Sequence, residues 1–228
     1  MAWFDTLFAQ YQGVSAPLIV LELVAVIFGM VSVVLVGKGR LASFPVGIVS
    51  TAGFVWLLWV YSLYGDMLIN AYYTVLSIYG WTQWSQQQAQ RTVFAVSPFT
   101  RKDAKICAGL SLFSLLFVGA VYWFKPYLQN GFSFTGVELG WAQFVWTDYT
   151  DIFTTALFLV AMWLMAERKI EHWLVWIVAD AVSVPLYYHK GLLFSALQYF
   201  FFTLIALRGY SQWKTYLHNQ AATPSASP

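Results

Sequence analysis

The sequence predicts an all-α polytopic membrane protein with seven transmembrane helices in a 3+1+3 arrangement of two parallel three-helix repeats. Of its 228 residues, 60% are hydrophobic and only 10% are charged, whereas soluble domains carry about 25% charged residues. About 20 apolar residues of helix cross a bilayer core, and residues 41–65 and 67–90 contain no Asp, Glu, Lys or Arg. The halves of the chain also resemble each other at an offset of 129 residues, which predicts an internal repeat.

The predicted spans follow the apolar stretches of the chain. They lie at residues 17–36, 44–64, 66–88, 106–124, 147–166, 172–189 and 191–209. We expect one transmembrane domain over residues 1–209 and a cytoplasmic tail over residues 210–228. Residues 1–12 are interpreted as either an amphipathic interfacial piece or a frayed terminus, and residues 221–228 as disordered.

The basic residues predict the orientation of the chain in the membrane. With the N-terminus outside, ten of the twelve Lys and Arg residues fall in inside loops, and only Lys125 and Lys190 lie outside. Positively charged loops favour the cytoplasmic side. We therefore expect the N-terminus outside and the C-terminus in the cytoplasm.

The internal repeat is carried by two similar pentads, residues 80–84 (GWTQW) and 209–213 (GYSQW). At the same offset, Glu22 falls on Asp151 and Arg40 on Lys169. Repeat one is predicted over residues 17–88 and repeat two over 147–209. The span at 106–124 links them and restores a parallel orientation, as in transporters built from parallel repeats. The alternative is a seven-helix bundle with fortuitous similarity.

Composition excludes several classes of function. A single cysteine, Cys107, allows neither an intrachain disulfide nor a cysteine metal site, and we expect no metal and no cofactor. The net charge of +2 is too small and too scattered for nucleic-acid binding. The last span has no lysine for a retinal Schiff base. An intramembrane enzyme is a remote alternative, because Asp180 has no second carboxylate or histidine at its depth.

A candidate substrate site lies on the sixth span. Trp173, Trp176, Asp180 and Tyr187 have the spacing i, i+3, i+7 and i+14 of one helix face. Two indoles, a carboxylate and a phenol suit a flat cationic ligand, because the rings stack on it and the carboxylate supplies the countercharge. Polar groups inside the bilayer are costly and usually functional. The structural alternatives are a helix-to-helix hydrogen bond for Asp180 and an interfacial position for Trp173.

A second polar stripe follows the third span. Its members are Asn70, Tyr73, Ser77, Trp84 and Gln88, with Gln198 added from the seventh span. These side chains either line the same cavity or form hydrogen bonds between helices.

The offset of 129 residues predicts that the site is asymmetric. It aligns the candidate face of the sixth span with Phe44, Gly47, Thr51 and Leu58. This first-half set has one aromatic ring and no carboxylate. We therefore expect the site to be built mainly on the second repeat.

Three segments resemble the PnuC family of bacterial vitamin transporters: residues 78–84 (IYGWTQW), 173–180 (WLVWIVAD) and 205–209 (IALRG). The resemblance extends over residues 21–213. It implies a 3+1+3 helix arrangement in the bacterial inner (plasma) membrane and vitamin uptake by facilitated diffusion with alternating access. It also implies a cytoplasmic kinase that traps the vitamin by phosphorylation. The ligand-contacting Trp of the family and its partner four residues later correspond to Trp176 and Asp180.

The expected cargo depends on Asp180. Nicotinamide-riboside members of the family usually have Asn at this position, and a carboxylate, unlike an amide, only accepts hydrogen bonds. We therefore expect thiamine as the cargo, with nicotinamide riboside as the alternative and riboflavin or another nucleoside-like vitamin after it. The expected partners are this small molecule, the lipid bilayer and the kinase. A monomer and a homo-oligomer both remain open.

Overall fold

The structure is a computed structural model that describes residues 15–60, 64–90, 95–189 and 193–222. Its long helices are α1 (Ala16–Gly37), α2 (Ser43–Val60), α3 (Tyr64–Gln90), α4 (Arg101–Trp123), α6 (Trp146–Ala166), α7 (Glu171–His189) and α8 (Leu193–Ala222). A short helix α5 (Lys125–Gln129) and a 3-10 turn (Trp141–Gln143) lie between α4 and α6. Each predicted span overlaps one long helix, and the all-α class is confirmed.

Within the described residues, four helices are long and apolar enough to cross a membrane: α1, α2, α4 and α6. The remaining long helices carry more polar residues. Helix α8 continues to Ala222, well past the predicted end of the last span at residue 209. Part of the predicted tail is therefore helical, because residues 210–222 contain neither Gly nor Pro to end the helix. The predictions for residues 1–12 and 223–228 lie outside the described residues.

The chain divides into two compact units. The first comprises Met1–Val36 and Arg40–Thr82, and the second comprises Gly37–Gly39 and Gln83–Pro228. In the second unit, α7 packs against both α6 and α8, and α4 packs against α6.

In the first unit, α1 and α2 approach closely through reciprocal glycine–serine contacts. A Cβ on Gly29 would lie 2.9 Å from Ser50 Oγ, and a Cβ on Gly47 would lie 2.8 Å from Ser32 Oγ. Ser50 donates a 2.7 Å hydrogen bond to the carbonyl of Ala25 on α1. Small residues at both positions therefore leave no room for a ring between these helices.

One pair of helix ends follows the offset found in the sequence. Helix α1 ends at Gly37 and helix α6 ends at Ala166, 129 residues later.

The turns after α1 and α6 also share one backbone conformation. Gly39 has φ 61° and its equivalent Arg168 has φ 56°. The next residues, Arg40 and Lys169, each donate their backbone N–H to the carbonyl five residues earlier, at 3.0 Å and 2.9 Å. A positive φ is rare outside glycine, so its presence at equivalent positions is a specific similarity between the halves.

A buried ion pair joins the turn after α6 to the start of α4. Lys169 Nζ lies 2.9 Å from Asp103 Oδ2, and both side chains are 7% exposed. Lys169 also donates to the carbonyl of Pro98 at 2.8 Å. Asp103 accepts hydrogen bonds from the backbone and hydroxyl of Thr100, which caps α4.

Lys169→Met is expected to destabilise the protein by about 3–5 kcal/mol, because it leaves the Asp103 carboxylate buried without its cation. The measurement is the melting temperature of the detergent-purified protein. Arg40→Met is the matched control, since Arg40 occupies the equivalent turn and is exposed. Equal melting temperatures for the two variants would contradict a stabilising role for the buried pair.

Candidate functional site

Four aromatic rings from α6, α7 and α8 form a connected cluster within the second unit. Phe158 on α6 lies 5.5 Å from Trp176 on α7 and is stacked on Tyr199 of α8 at 5.9 Å, measured between ring centroids. Tyr187 on α7 stacks on Tyr199 at 4.9 Å with an interplanar angle of 28°. We call Phe158, Trp176, Tyr187 and Tyr199 the aromatic cluster.

Asp180 lies on α7 between Trp176 and Tyr187 and on the same helix face. It is 3% exposed. Across the part of the chain that the structure describes, no hydrogen bond or ion pair reaches its carboxylate. The hydroxyl of Ser183, one turn further along, donates instead to the carbonyl of Ala179 at 2.8 Å. A buried carboxylate without a partner is costly, so a cation or a hydrogen-bond donor from a ligand would be favoured here.

Two members of the aromatic cluster are absent from the sequence-based candidates. The repeat contained a signal for Tyr199, because the offset of 129 residues carries the candidate Asn70 onto it. Phe158 corresponds to Gly29 at the same offset. Neither the helical periodicity nor the repeat therefore identified it as a candidate site residue.

In the first unit, none of the positions equivalent to the aromatic cluster carries a ring, and two of them are glycine. Phe158 and Trp176 correspond to Gly29 and Gly47, against which two serine hydroxyls pack. Thr51 corresponds to Asp180, and it donates to the carbonyl of Gly47 at 3.1 Å. A ring-lined arrangement with a carboxylate is therefore a property of α6, α7 and α8.

Trp84 and Trp173 belong to a second group of rings, which we call the tryptophan cluster: Trp84, His172, Trp173 and Trp213. Trp213 lies 5.9 Å from Trp84 and 6.0 Å from Trp173, and His172 lies 4.4 Å from Trp173. Trp84 Nε1 donates to the carbonyl of Ala166 at 3.1 Å. The three indoles are at most 1% exposed. Their faces are covered by protein, which favours a packing role over contact with cargo.

The other candidates are distributed over both units. Gln198 is half-buried on α8, beside Tyr199, and Gln88 is exposed near the end of α3. Asn70, Tyr73 and Ser77 lie on α3 in the first unit. The structure therefore groups Trp176, Asp180 and Tyr187 with the two added rings, and a role for the others stays a prediction.

Comparison with known proteins identifies the family. Residues 19–215 match the family described as nicotinamide mononucleotide transporter. The chain belongs to this family. The nicotinamide riboside transporter PnuC of Escherichia coli (strain K12) is 24% identical over 204 residues, covering 85% of this chain and 84% of that protein. The riboflavin/roseoflavin transporter RibM of Streptomyces davaonensis is 25% identical over 193 residues, covering 84% and 83%.

A solved structure shares the fold. The crystal structure of the vitamin B3 transporter PnuC superimposes with a TM-score of 0.61 and 19% identity, covering 94% of this chain and 87% of that one. The PnuC family predicted from the motifs is confirmed, and the chain is a multi-pass membrane protein of a vitamin transporter family. Of these two relatives, one is named for nicotinamide riboside and one for riboflavin and roseoflavin, so neither name supports the expectation of thiamine.

Proposed function

We propose that this protein carries nicotinamide riboside across the bacterial inner membrane. The observation that carries the proposal is the buried carboxylate of Asp180, which has no partner among the described residues. It lies on the same face of α7 as Trp176 and Tyr187 of the aromatic cluster. Nicotinamide riboside has a flat pyridinium cation, which stacks on aromatic faces and is attracted by their electron density. Its carboxamide and ribose hydroxyls donate hydrogen bonds, and a carboxylate accepts them.

The expectation of thiamine is replaced for a chemical reason. Thiamine and nicotinamide riboside are both flat cations with hydrogen-bond donors, so a carboxylate in place of an amide at position 180 suits either one. The difference between Asp and Asn therefore carried little information about the cargo. The relatives named for nicotinamide riboside support it over thiamine as the proposed cargo.

The proposed mechanism is facilitated diffusion by alternating access, without a cofactor and without a catalytic step. The equivalent ends of α1 and α6 and the turn conformation that follows both of them support two parallel repeats joined by α4 in a 3+1+3 arrangement. Carriers built from such repeats bind cargo near the middle of the bilayer. The distribution of Lys and Arg supports a C-terminus in the cytoplasm, where a kinase would trap the vitamin by phosphorylation.

Titration calorimetry on the detergent-purified protein tests the cargo. We expect heat of binding with nicotinamide riboside and much weaker binding with nicotinamide mononucleotide, because the phosphate of the mononucleotide would bring negative charge towards Asp180. Thiamine and riboflavin are titrated in parallel. Binding of thiamine without any response to nicotinamide riboside would overturn the proposed cargo and leave the transporter family unchanged.

Trp176→Ala is expected to weaken binding of nicotinamide riboside by about 1–3 kcal/mol, since it removes a stacking face for the pyridinium ring. Competition binding or calorimetry measures the change in Kd. Trp56→Ala is the matched control, because Trp56 is 60% exposed on α2. A similar loss in both variants would point to a general effect of removing an indole.

A further inference from the structure

The connection between α4 and α6, residues 124–145, exposes large aromatic side chains. Phe132 is 70% exposed, Phe134 is 61% exposed and Trp141 is 63% exposed. Several large apolar side chains exposed in one segment commonly mark a contact with a protein, a ligand or a membrane.

The two helices that flank this connection fix its position. Helices α4 and α6 are each long and apolar enough to cross a membrane, and they pack against each other. Phe124 follows the end of α4 and Trp146 begins α6. Tyr122, near the end of α4, donates a 2.7 Å hydrogen bond to Asp151, near the start of α6. The two helices are therefore antiparallel, and both ends of residues 124–145 lie at the same end of the pair.

The backbone of Phe132 is strained, and burial within the protein does not offset the strain. Gly131 has φ 62° and Phe132 has φ 61°, a conformation that is costly for a bulky L residue. Phe132 packs edge-on against Tyr127 at 5.8 Å, and Phe134 stacks on the same ring at 4.2 Å. Both phenylalanines nevertheless stay exposed. Burial of the two rings in an apolar environment would offset the cost of this backbone conformation.

Trp141 packs against the end of α4. Its ring lies 5.1 Å from Trp123 in an edge-on arrangement and 4.9 Å from Phe144. Close to this end of α4, Lys125 Nζ forms a 3.0 Å ion pair with Asp148 Oδ1. Charged groups here neutralise each other, and tryptophan is typical of the membrane–water boundary.

We propose that residues 124–145 form an interfacial platform, in which Phe132, Phe134 and Trp141 insert between the headgroups and acyl chains of the bilayer. The exposed apolar surface of α4 leads directly into it, through Val121 and Phe124. The platform would set the depth of α4 and α6 in the membrane. It contacts lipid and does not close over the cargo.

Site-directed fluorescence in liposomes tests the platform. In a Cys107→Ser background, the variants Phe132→Cys and Phe134→Cys are labelled with a nitrobenzoxadiazole probe and reconstituted into phosphatidylcholine–phosphatidylglycerol vesicles. Glu138→Cys is the control, because Glu138 is an exposed polar residue of the same segment. We expect blue-shifted emission at positions 132 and 134, with quenching by doxyl-labelled lipid at least threefold stronger than at position 138.

Two outcomes of the fluorescence experiment would contradict the proposed platform. Water-like emission at positions 132 and 134, with quenching equal to that at position 138, would overturn the platform. Insensitivity to doxyl lipid combined with a response to nicotinamide riboside would also overturn it, because the segment would then cover the cargo site. Trp141→Cys provides a second reporter should a label at Phe132 disturb the strained turn.

Discussion

Asp180→Ala is expected to weaken binding of nicotinamide riboside strongly while the protein still folds and inserts. The carboxylate is buried, on the same face of α7 as Trp176 and Tyr187. Truncating one partner of a buried, hydrogen-bonded charge pair, here the pair that Asp180 would form with the bound cation, costs about 2–5 kcal/mol. Affinity should therefore fall about 30-fold to several thousand-fold, measured by calorimetry on the purified protein. Folding should be preserved, because the variant removes a buried charge that lacks a partner among the described residues. Its melting temperature should equal or exceed that of the parent protein.

Two further variants separate charge from shape at this position. Asp180→Asn keeps the size of the side chain and adds a donor, so it should bind nicotinamide riboside more tightly than Asp180→Ala. Glu138→Gln removes a carboxylate from an exposed position and should leave the Kd unchanged. Unchanged affinity in a well-folded Asp180→Ala protein would show that the cargo binds elsewhere.

The sequence predicted the helices well because hydropathy reports what a membrane-spanning segment must contain. It placed the end of the last span at residue 209, although residues 210–222 continue α8. The lack of Gly and Pro permits this continuation, and a tertiary contact also holds it. Gln220 accepts a 3.0 Å hydrogen bond from the backbone N–H of Val96, and its side-chain amide donates back to the carbonyl of Val96 at 3.3 Å. No pattern within residues 210–222 reveals a partner more than a hundred residues away.

The candidate site was only partly predictable, because periodicity defines a helix face but not what the face contacts. Trp176 and Trp173 share a face of α7, yet their rings have different neighbours. Trp176 meets Phe158 of α6, whereas Trp173 meets Trp213 of α8. Phe158 could not be found from the sequence, since its contribution depends on how α6 packs against α7.

Close packing explains why the second copy of the repeated pentad, residues 209–213, begins with glycine. Gly209 begins this copy, and a Cβ there would lie 2.5, 2.6 and 2.7 Å from Cη2, Cζ2 and Cζ3 of Trp173. Trp173 is 1% exposed and is held by His172 and Trp213. Its indole cannot withdraw towards solvent, so position 209 requires glycine.

Gly209→Ala is therefore expected to lower the melting temperature strongly, because overpacking a closed core costs about 1–3 kcal/mol and sometimes more. Gly119→Ala on α4 is the matched control. A Cβ there meets nothing within 4 Å, and alanine favours the helix by about 1 kcal/mol over glycine.

Adding Trp173→Phe to Gly209→Ala should restore part of the lost stability, since the smaller ring leaves space for the methyl group. If Gly209→Ala instead melted like Gly119→Ala, close packing would not account for glycine in the pentad.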